Sequence, residues 1–219
     1  MSKLVSFVIP CYRSAQTIGK VVAEIDRAME KLPAYTHEIV LVNDSSPDDT
    51  FEVIRGLSAQ REDLCGINLA RNFGQHAALM AGFRHTRGDV VVCLDDDGQT
   101  PADEVGKLLA QIEQGSDVVY AKYSHKQHSG FRNFGSKVNE LMTRVMLGKP
   151  KELYLSSYFA AKRFVIEEII RYTNPYPSSN STYRSKKCIY INIQKTCLEQ
   201  FYIITKYITV SSMLLQHLQ

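Results

Sequence analysis

Short β-branched runs alternate along this chain with longer stretches in which apolar residues recur every three or four positions. LVSFVIP (4–10), EIVLVN (38–43), LCGINLA (64–70), DVVVCL (89–94) and DVVYA (117–121) are predicted strands. Between them Val21, Val22, Ile25 and Met29, and later Val105, Leu108, Leu109 and Ile112, share one face of a 3.6-residue helix. Near-continuous apolar strands separated by amphipathic helices predict an α/β fold with a mostly parallel sheet flanked by helices. Pro101, followed by Asp103 and Glu104, reads as the first residue of a helix, where a missing N–H costs nothing and acids suit the helix dipole. Further on, an amphipathic helix is predicted through Val138, Leu141, Met142 and Val145, then a strand in YLSSYFAA and a helix in KRFVIEEIIRY.

The pattern breaks near Ser178. From there to the end the chain has no Gly, Ala or Asp and one acid, Glu199, against five Lys or Arg. The expected organisation is one domain over 1–177, in two parts, 1–121 and 122–177. Residues 178–219 follow as an atypical tail, expected to be a truncated or frame-shifted end.

Composition narrows the function classes. With 219 residues and 44% apolar content the chain can bury a real core, and a formal charge of +3 is too small to suggest a nucleic-acid partner. The five cysteines are odd in number and widely spaced, which fits reduced thiols of a cytoplasmic protein rather than a disulfide framework. No run of about 18 apolar residues and no basic leader with an apolar core is present.

The candidate chemistry lies in loops that follow strands, at the edge where open α/β sheets bind ligands. In LDDDGQTP (94–101) alternate residues of an extended turn can aim Asp95 and Asp97 at one point, where a hard divalent cation, Mn2+ or Mg2+, would relieve their repulsion and bridge to phosphate. The plain alternative is a solvated, helix-capping acidic loop. In VNDSSPDDT (42–50) Asp44 can accept a base N–H, or the stretch is simply a turn with Asp48 or Asp49 capping the next helix. In ARNFGQHAAL (70–79) Arg71 can hold a phosphate or a base edge near a helix start. His76 there is better explained as an ordinary helical residue. In VIPCYRS (8–14) Pro10 is expected to close the first strand, and Tyr12 either stacks on a base or is a surface tyrosine. Lys122, Lys126, Arg132, Lys137 and Arg144, interleaved with Tyr123, Phe131 and Phe134, form either a solvated face or a surface for an anionic acceptor or acidic lipid.

Taken in order and spacing, VIPCYRS, VNDSSPDDT, RNFGQHAALMAGF and LDDDGQTP, with FRNFGSK and SSYFAAKRF behind them, resemble glycosyltransferase family 2. The likeness is strongest to the branch of dolichol-phosphate mannose synthase and the bacterial polyprenyl-phosphate glycosyltransferases. It covers residues 3–175 and implies the GT-A fold, with 1–177 as the catalytic domain, 1–121 its nucleotide-binding half and 122–177 its acceptor-side half. It implies that Asp95, Asp97 and Gln99 form a catalytic DxDxQ set for metal and diphosphate, with Asp95 and Asp97 as metal ligands and Asp96 a spacer. By the same likeness Asp44 and Arg71 bind the nucleotide, Pro10 and Tyr12 line the base pocket, and Lys122 and Arg132 face the donor and acceptor phosphates.

The activity implied is inverting transfer of a sugar from a UDP- or GDP-sugar to a polyprenyl phosphate or a saccharide precursor. It would take place in the cytoplasm, at the inner face of a membrane, by peripheral association. Many relatives carry an aspartate and an arginine near the positions of Tyr154 and Ala160; their replacement here favours an acceptor that is already anionic and needs little base. The segment that closes over the donor in such relatives is not recognisable beyond Tyr176. A nucleotide-sugar-binding module without transfer activity is therefore the alternative expectation.

Overall fold

The computed structural model describes residues 2–98, 100–123, 156–171 and 188–193. Gln99, Arg132, Tyr154 and the predicted helix through Val138 lie outside the described residues. Seven strands form one sheet: β1 (Lys3–Cys11), β2 (Tyr35–Asn43), β3 (Leu64–Asn68), β4 (Val90–Cys93), β5 (Val118–Tyr123), β6 (Phe159–Lys162) and β7 (Cys188–Ile193). Their order is β3-β2-β1-β4-β6-β5-β7. All pairs are parallel except those of β6, which runs antiparallel to both β4 and β5. β7 comes from beyond Ser178 and pairs with β5, so a stretch without clear periodicity nonetheless joins the sheet.

The five helices among the described residues are α1 (Ile18–Glu30), α2 (Thr50–Ala59), α3 (Gln75–Phe83), α4 (Val105–Glu113) and α5 (Arg163–Arg171). Strand periodicity sorts them into layers. Val5, Phe7 and Ile9 of β1, with Ile39 and Leu41 of β2 and Val90 and Val92 of β4, pack with α1, α2 and α4. Val8, Val40, Val42, Val91 and Cys93 pack with α3 and α5 on the other face. The first layer is supplied by the α1 stripe Ile18, Val21, Val22, Ile25 and Met29, all buried. A side chain such as Ile25, 0% exposed, contributes roughly 2–3 kcal/mol by leaving water. On the other face α3 lies close because Gly82 has no Cβ; one placed there would stand 2.5 Å from Val8 Cγ1.

Two expectations about proline are corrected. Pro10 does not close β1, which continues through Cys11 with Pro10 opposite Val42. Val8 O accepts the Leu94 N–H, so the even-numbered residues of β1 turn their backbone groups toward β4, whose ladder stops with Cys93 opposite Val8. The donor that Pro10 lacks falls where no partner strand remains. Pro101 is extended rather than helical; a 3-10 turn, Ala102–Glu104, follows it, and α4 starts only at Val105. The Pro101 carbonyl accepts both the Glu104 N–H at 3.2 Å and the Tyr158 hydroxyl at 3.2 Å, which holds it in this arrangement.

Among the described residues no helix is long and apolar enough to cross a membrane. The amino edge of the sheet is fixed by buried Glu38. Its Oε1 accepts Ser6 Oγ and the Arg87 N–H, each at 2.6 Å, and its Oε2 accepts Arg87 Nε at 2.8 Å. Burial pushes this carboxyl up, but the hydrogen bonds and the nearby guanidinium outweigh it, and its net shift is downward. A carboxyl lowered in the folded state stabilises the fold in full above the ordinary glutamate range, and that contribution is lost as pH falls through the lowered native value. Glu38→Ala is expected to cost about 2 kcal/mol in urea unfolding at neutral pH, with the gap to the wild type narrowing as pH drops below the ordinary glutamate range. A gap that stays constant down to pH about 3 would contradict this role for Glu38.

Candidate active site

β1, β2 and β4 run parallel, so their carboxyl ends deliver Tyr12, Asp44 and Asp95 to one edge of the sheet. There a cavity of ≈ 380 Å³ is lined by Pro10, Cys11, Tyr12, Asp44, Asn72, Gly74, Gln75, Asp95, Asp96 and Asp97. The strand exits are stitched together. Arg13 N–H donates to Ser46 Oγ at 2.7 Å and Ser14 N–H to Thr50 Oγ1 at 2.9 Å. Arg13 and Ser45 adopt left-handed backbone, with φ of 57° and 51°. Such residues cost free energy and persist only where their surroundings hold them.

Asp48 Oδ1 accepts Ser46 Oγ at 2.5 Å and Thr50 Oγ1 at 2.6 Å, and these hydrogen bonds bring its carboxyl down to about 2. Asp49, at the N-cap of α2, makes no side-chain cap bond. The acids of this loop therefore brace the turn, and Asp48 reaches the first amide of α2 only at 3.3 Å.

Asp44 is 4% exposed, and its two oxygens accept the N–H groups of Phe73 and Gly74, each at 2.8 Å. Gly74 caps α3 with a φ of 89°, a conformation that strongly favours glycine. One buried carboxylate thus fixes the loop that supplies Asn72, Gly74 and Gln75 to the cavity wall. The sequence offered a base partner or a turn residue at Asp44; the fold adds the bracing of a second loop. Arg71, on that loop, is exposed and stacks its guanidinium 4.7 Å over the Phe73 ring; it is not among the cavity-lining residues. Tyr12 is 44% exposed, with the Arg13 guanidinium 5.6 Å over its ring.

The three consecutive aspartates have different surroundings. Asp96 Oδ2 accepts the Tyr12 N–H at 2.9 Å, and burial, with Asp97 alongside, raises its carboxyl above the ordinary range. Asp95 Oδ2 accepts Ser157 Oγ at 2.5 Å, and its Oδ1 lies 3.4 Å from Gln75 Nε2. Asp97 is exposed at the cavity mouth. Lys122 lies near the carboxyl end of β5, hence on the same edge of the sheet. Asn72 and Gln75 belong to the 70–79 loop that the sequence singled out, though no role was assigned to them there; Ser157 was given no role and reaches Asp95 only through strand pairing.

Among the described residues no group of three His, Cys, Asp or Glu converges on a point. The donor set fits an oxygen-loving divalent ion held by one or two of the aspartates and completed by phosphate oxygens and water. The family model for glycosyl transferase family 2 matches residues 6–170. The chain belongs to that family. It is 38% identical over 173 residues to undecaprenyl-phosphate 4-deoxy-4-formamido-L-arabinose transferase of Pseudomonas fluorescens, covering 78% of this chain and 50% of that one. The Salmonella choleraesuis enzyme of the same name is 35% identical over 170 residues, 77% of this chain and 52% of its own. The family 2 chain thus spans about half the length of the curated relatives it matches.

Solved structures agree on the fold, which is GT-A. Glucosyl-3-phosphoglycerate synthase of Mycobacterium tuberculosis, in complex with Mn2+, UDP-glucose and phosphoglyceric acid, superposes with a TM-score of 0.55 at 22% identity, covering 76% of this chain and 59% of its own. A Pyrobaculum calidifontis mannosyltransferase in complex with GDP-mannose and Mn2+ gives 0.55 at 21% identity, covering 76% and 46%.

The bracing by Asp44 has a local readout. Asp44→Ala removes two charge-assisted hydrogen bonds that the Phe73 and Gly74 amides make to a buried carboxylate, and a stability loss of about 3 kcal/mol is expected in denaturant unfolding. In hydrogen exchange the amides of Phe73 and Gly74 should lose protection before the strands do. Unchanged protection at those two amides would show that the loop is held by something else.

Proposed function

We propose that this chain carries the donor site of an inverting, divalent-metal-dependent glycosyltransferase that takes its sugar from a UDP- or GDP-sugar and passes it to a polyprenyl phosphate. The observation that carries the reading is the charge of the cavity: among the described residues four aspartates and no basic side chain line it. A diphosphate entering among Asp44, Asp95, Asp96 and Asp97 would be repelled by these carboxylates unless a cation came with it. Asp95 and Asp97 are the ligands proposed for that ion, Mn2+ or Mg2+; Gln99 is assigned to the same set from the family motif, and Asp96 is committed to the Tyr12 amide. When bound, the ion neutralises charge that grows on the departing nucleoside diphosphate.

This chain's own residues supply orientation. Pro10 and Tyr12 form one wall for the base, with the exposed ring of Tyr12 available for stacking. Asp44 keeps the opposing Asn72–Gln75 wall in place and offers a remaining lone pair on each oxygen to a base N–H. Arg71, already beside the Phe73 ring, is within the same loop and is assigned to the outer phosphate or the base edge. Lys122 and Arg132 are assigned to the donor and acceptor phosphates.

A phosphate acceptor needs no base from the cavity, because its second ionisation lies near pH 6 and the nucleophile is already formed at neutral pH. The names of the curated relatives, transferases that act with undecaprenyl phosphate, support this acceptor class. Peripheral attachment at the cytoplasmic face of a membrane follows from a lipid acceptor and belongs to the same proposal.

Calorimetry with UDP, GDP and their hexose derivatives tests the donor half. Binding is expected with Mn2+ present, to be lost in EDTA, and to weaken at least about tenfold in Asp97→Ala. Affinity that is the same with and without the chelator would overturn the metal-dependent reading. In the presence of polyprenyl phosphate, label from the matching nucleotide sugar should enter the lipid fraction; nucleotide binding without any such transfer would reduce the chain to a binding module.

A further inference from the structure

We infer that Ser157 is a positioning residue for the carboxylate of Asp95, an inference that rests on the proposed reading of the acidic loop as the metal and diphosphate site. The observation is the 2.5 Å hydrogen bond from Ser157 Oγ to Asp95 Oδ2, between residues 62 positions apart in the chain. A hydroxyl donating to a carboxylate at that length is a charge-assisted bond, stronger than a neutral one.

The contact is a product of sheet register. β6 runs antiparallel to β4 with Phe159 opposite Cys93. Continuing the register two residues beyond the ladder sets Ser157 opposite Asp95, on the face shared by Cys93 and Phe159. The serine is presented from a fixed support. Its neighbour Tyr158 is fully buried, donates its hydroxyl to Pro101 O at 3.2 Å, and receives the Ala121 N–H on its own carbonyl at 2.9 Å. On the other side Gln75 Nε2 lies 3.4 Å from Asp95 Oδ1, and the Asp95 N–H donates to Thr100 Oγ1 at 3.2 Å.

Two consequences follow for an ion at Asp95. The bond to Oδ2 sets the rotation of a carboxylate that lines the cavity, which lowers the ordering cost when an ion arrives. The same hydrogen bond offsets part of the charge crowded between Asp95, Asp96 and Asp97. Ser157 neither ligates nor transfers a proton in this role. It also ties the metal-binding loop to the start of β6, which comes from the acceptor-side part of the chain.

Electron paramagnetic resonance of Mn2+ titrated into the full chain with UDP or GDP separates the cases. Ser157→Ala is expected to weaken Mn2+ binding by about ten- to a hundredfold and to broaden the bound-ion spectrum, with the thermal midpoint unchanged because the side chain is exposed. Ser157→Thr, which keeps the hydroxyl, is expected to retain wild-type affinity and spectrum. Wild-type binding in Ser157→Ala, or equal weakening in Ser157→Thr, overturns the inference while leaving the donor-site reading in place. Absence of Mn2+ binding by the wild-type chain with either nucleotide overturns the donor-site reading and this inference with it.

Discussion

Two backbone amides donated to one buried carboxylate hold the candidate site in shape. Asp44 leaves the carboxyl end of β2 and takes the N–H groups of Phe73 and Gly74, so the exit of one strand is fastened to the entrance of the helix that follows the next. Without those donors a carboxylate at 4% exposure would be an uncompensated buried charge, which a fold tolerates poorly. The Asn72–Gln75 wall therefore cannot move away from Asp44 without a penalty, and the cavity stays open opposite Pro10 and Tyr12. The same economy appears at Asp48 and Asp96, each of which spends hydrogen-bonding capacity on a neighbouring strand exit.

The second determinant is the reversal of β6 within an otherwise parallel sheet. Parallel strands alone would bring only loop residues to the carboxyl edge. An antiparallel insertion brings the beginning of a strand there, and with it Ser157 and the Tyr158 anchor. The acidic loop after β4 is thus held from both sides, by Tyr12 from β1 and by Ser157 from β6. Crowding three carboxylates in such a frame leaves a strongly negative site whose natural complement is a divalent ion with its own anionic ligand.

Family 2 membership and the GT-A fold set this arrangement in context. The family model spans residues 6–170, which include the strand exits, the acidic loop and β6. A sheet closed on both faces by α1, α2 and α4 and by α3 and α5 gives those loops a rigid base, which is why small loop residues can fix a ligand's position.

The sequence by itself determined the layers and the edge. The unbroken apolar runs of β1, β2 and β4 mark strands covered on both faces, and the stripes of α1 and α4 mark the helix faces turned to them, because period 2 and period 3.6 are local properties of the backbone. The acidic loop, the Asn43–Asp44 turn and the Arg71 loop were legible for the same reason: each follows directly on an apolar run. Only the tertiary structure decided what those residues touch. That Pro10 sits inside β1 depends on where β4 stops, that Asp44 braces α3 depends on the packing of two loops, and that Ser157 meets Asp95 depends on the register of an antiparallel pair. Contacts between residues 29 or 62 positions apart leave no periodic trace in the chain, since they are fixed by strand order and register rather than by any local preference.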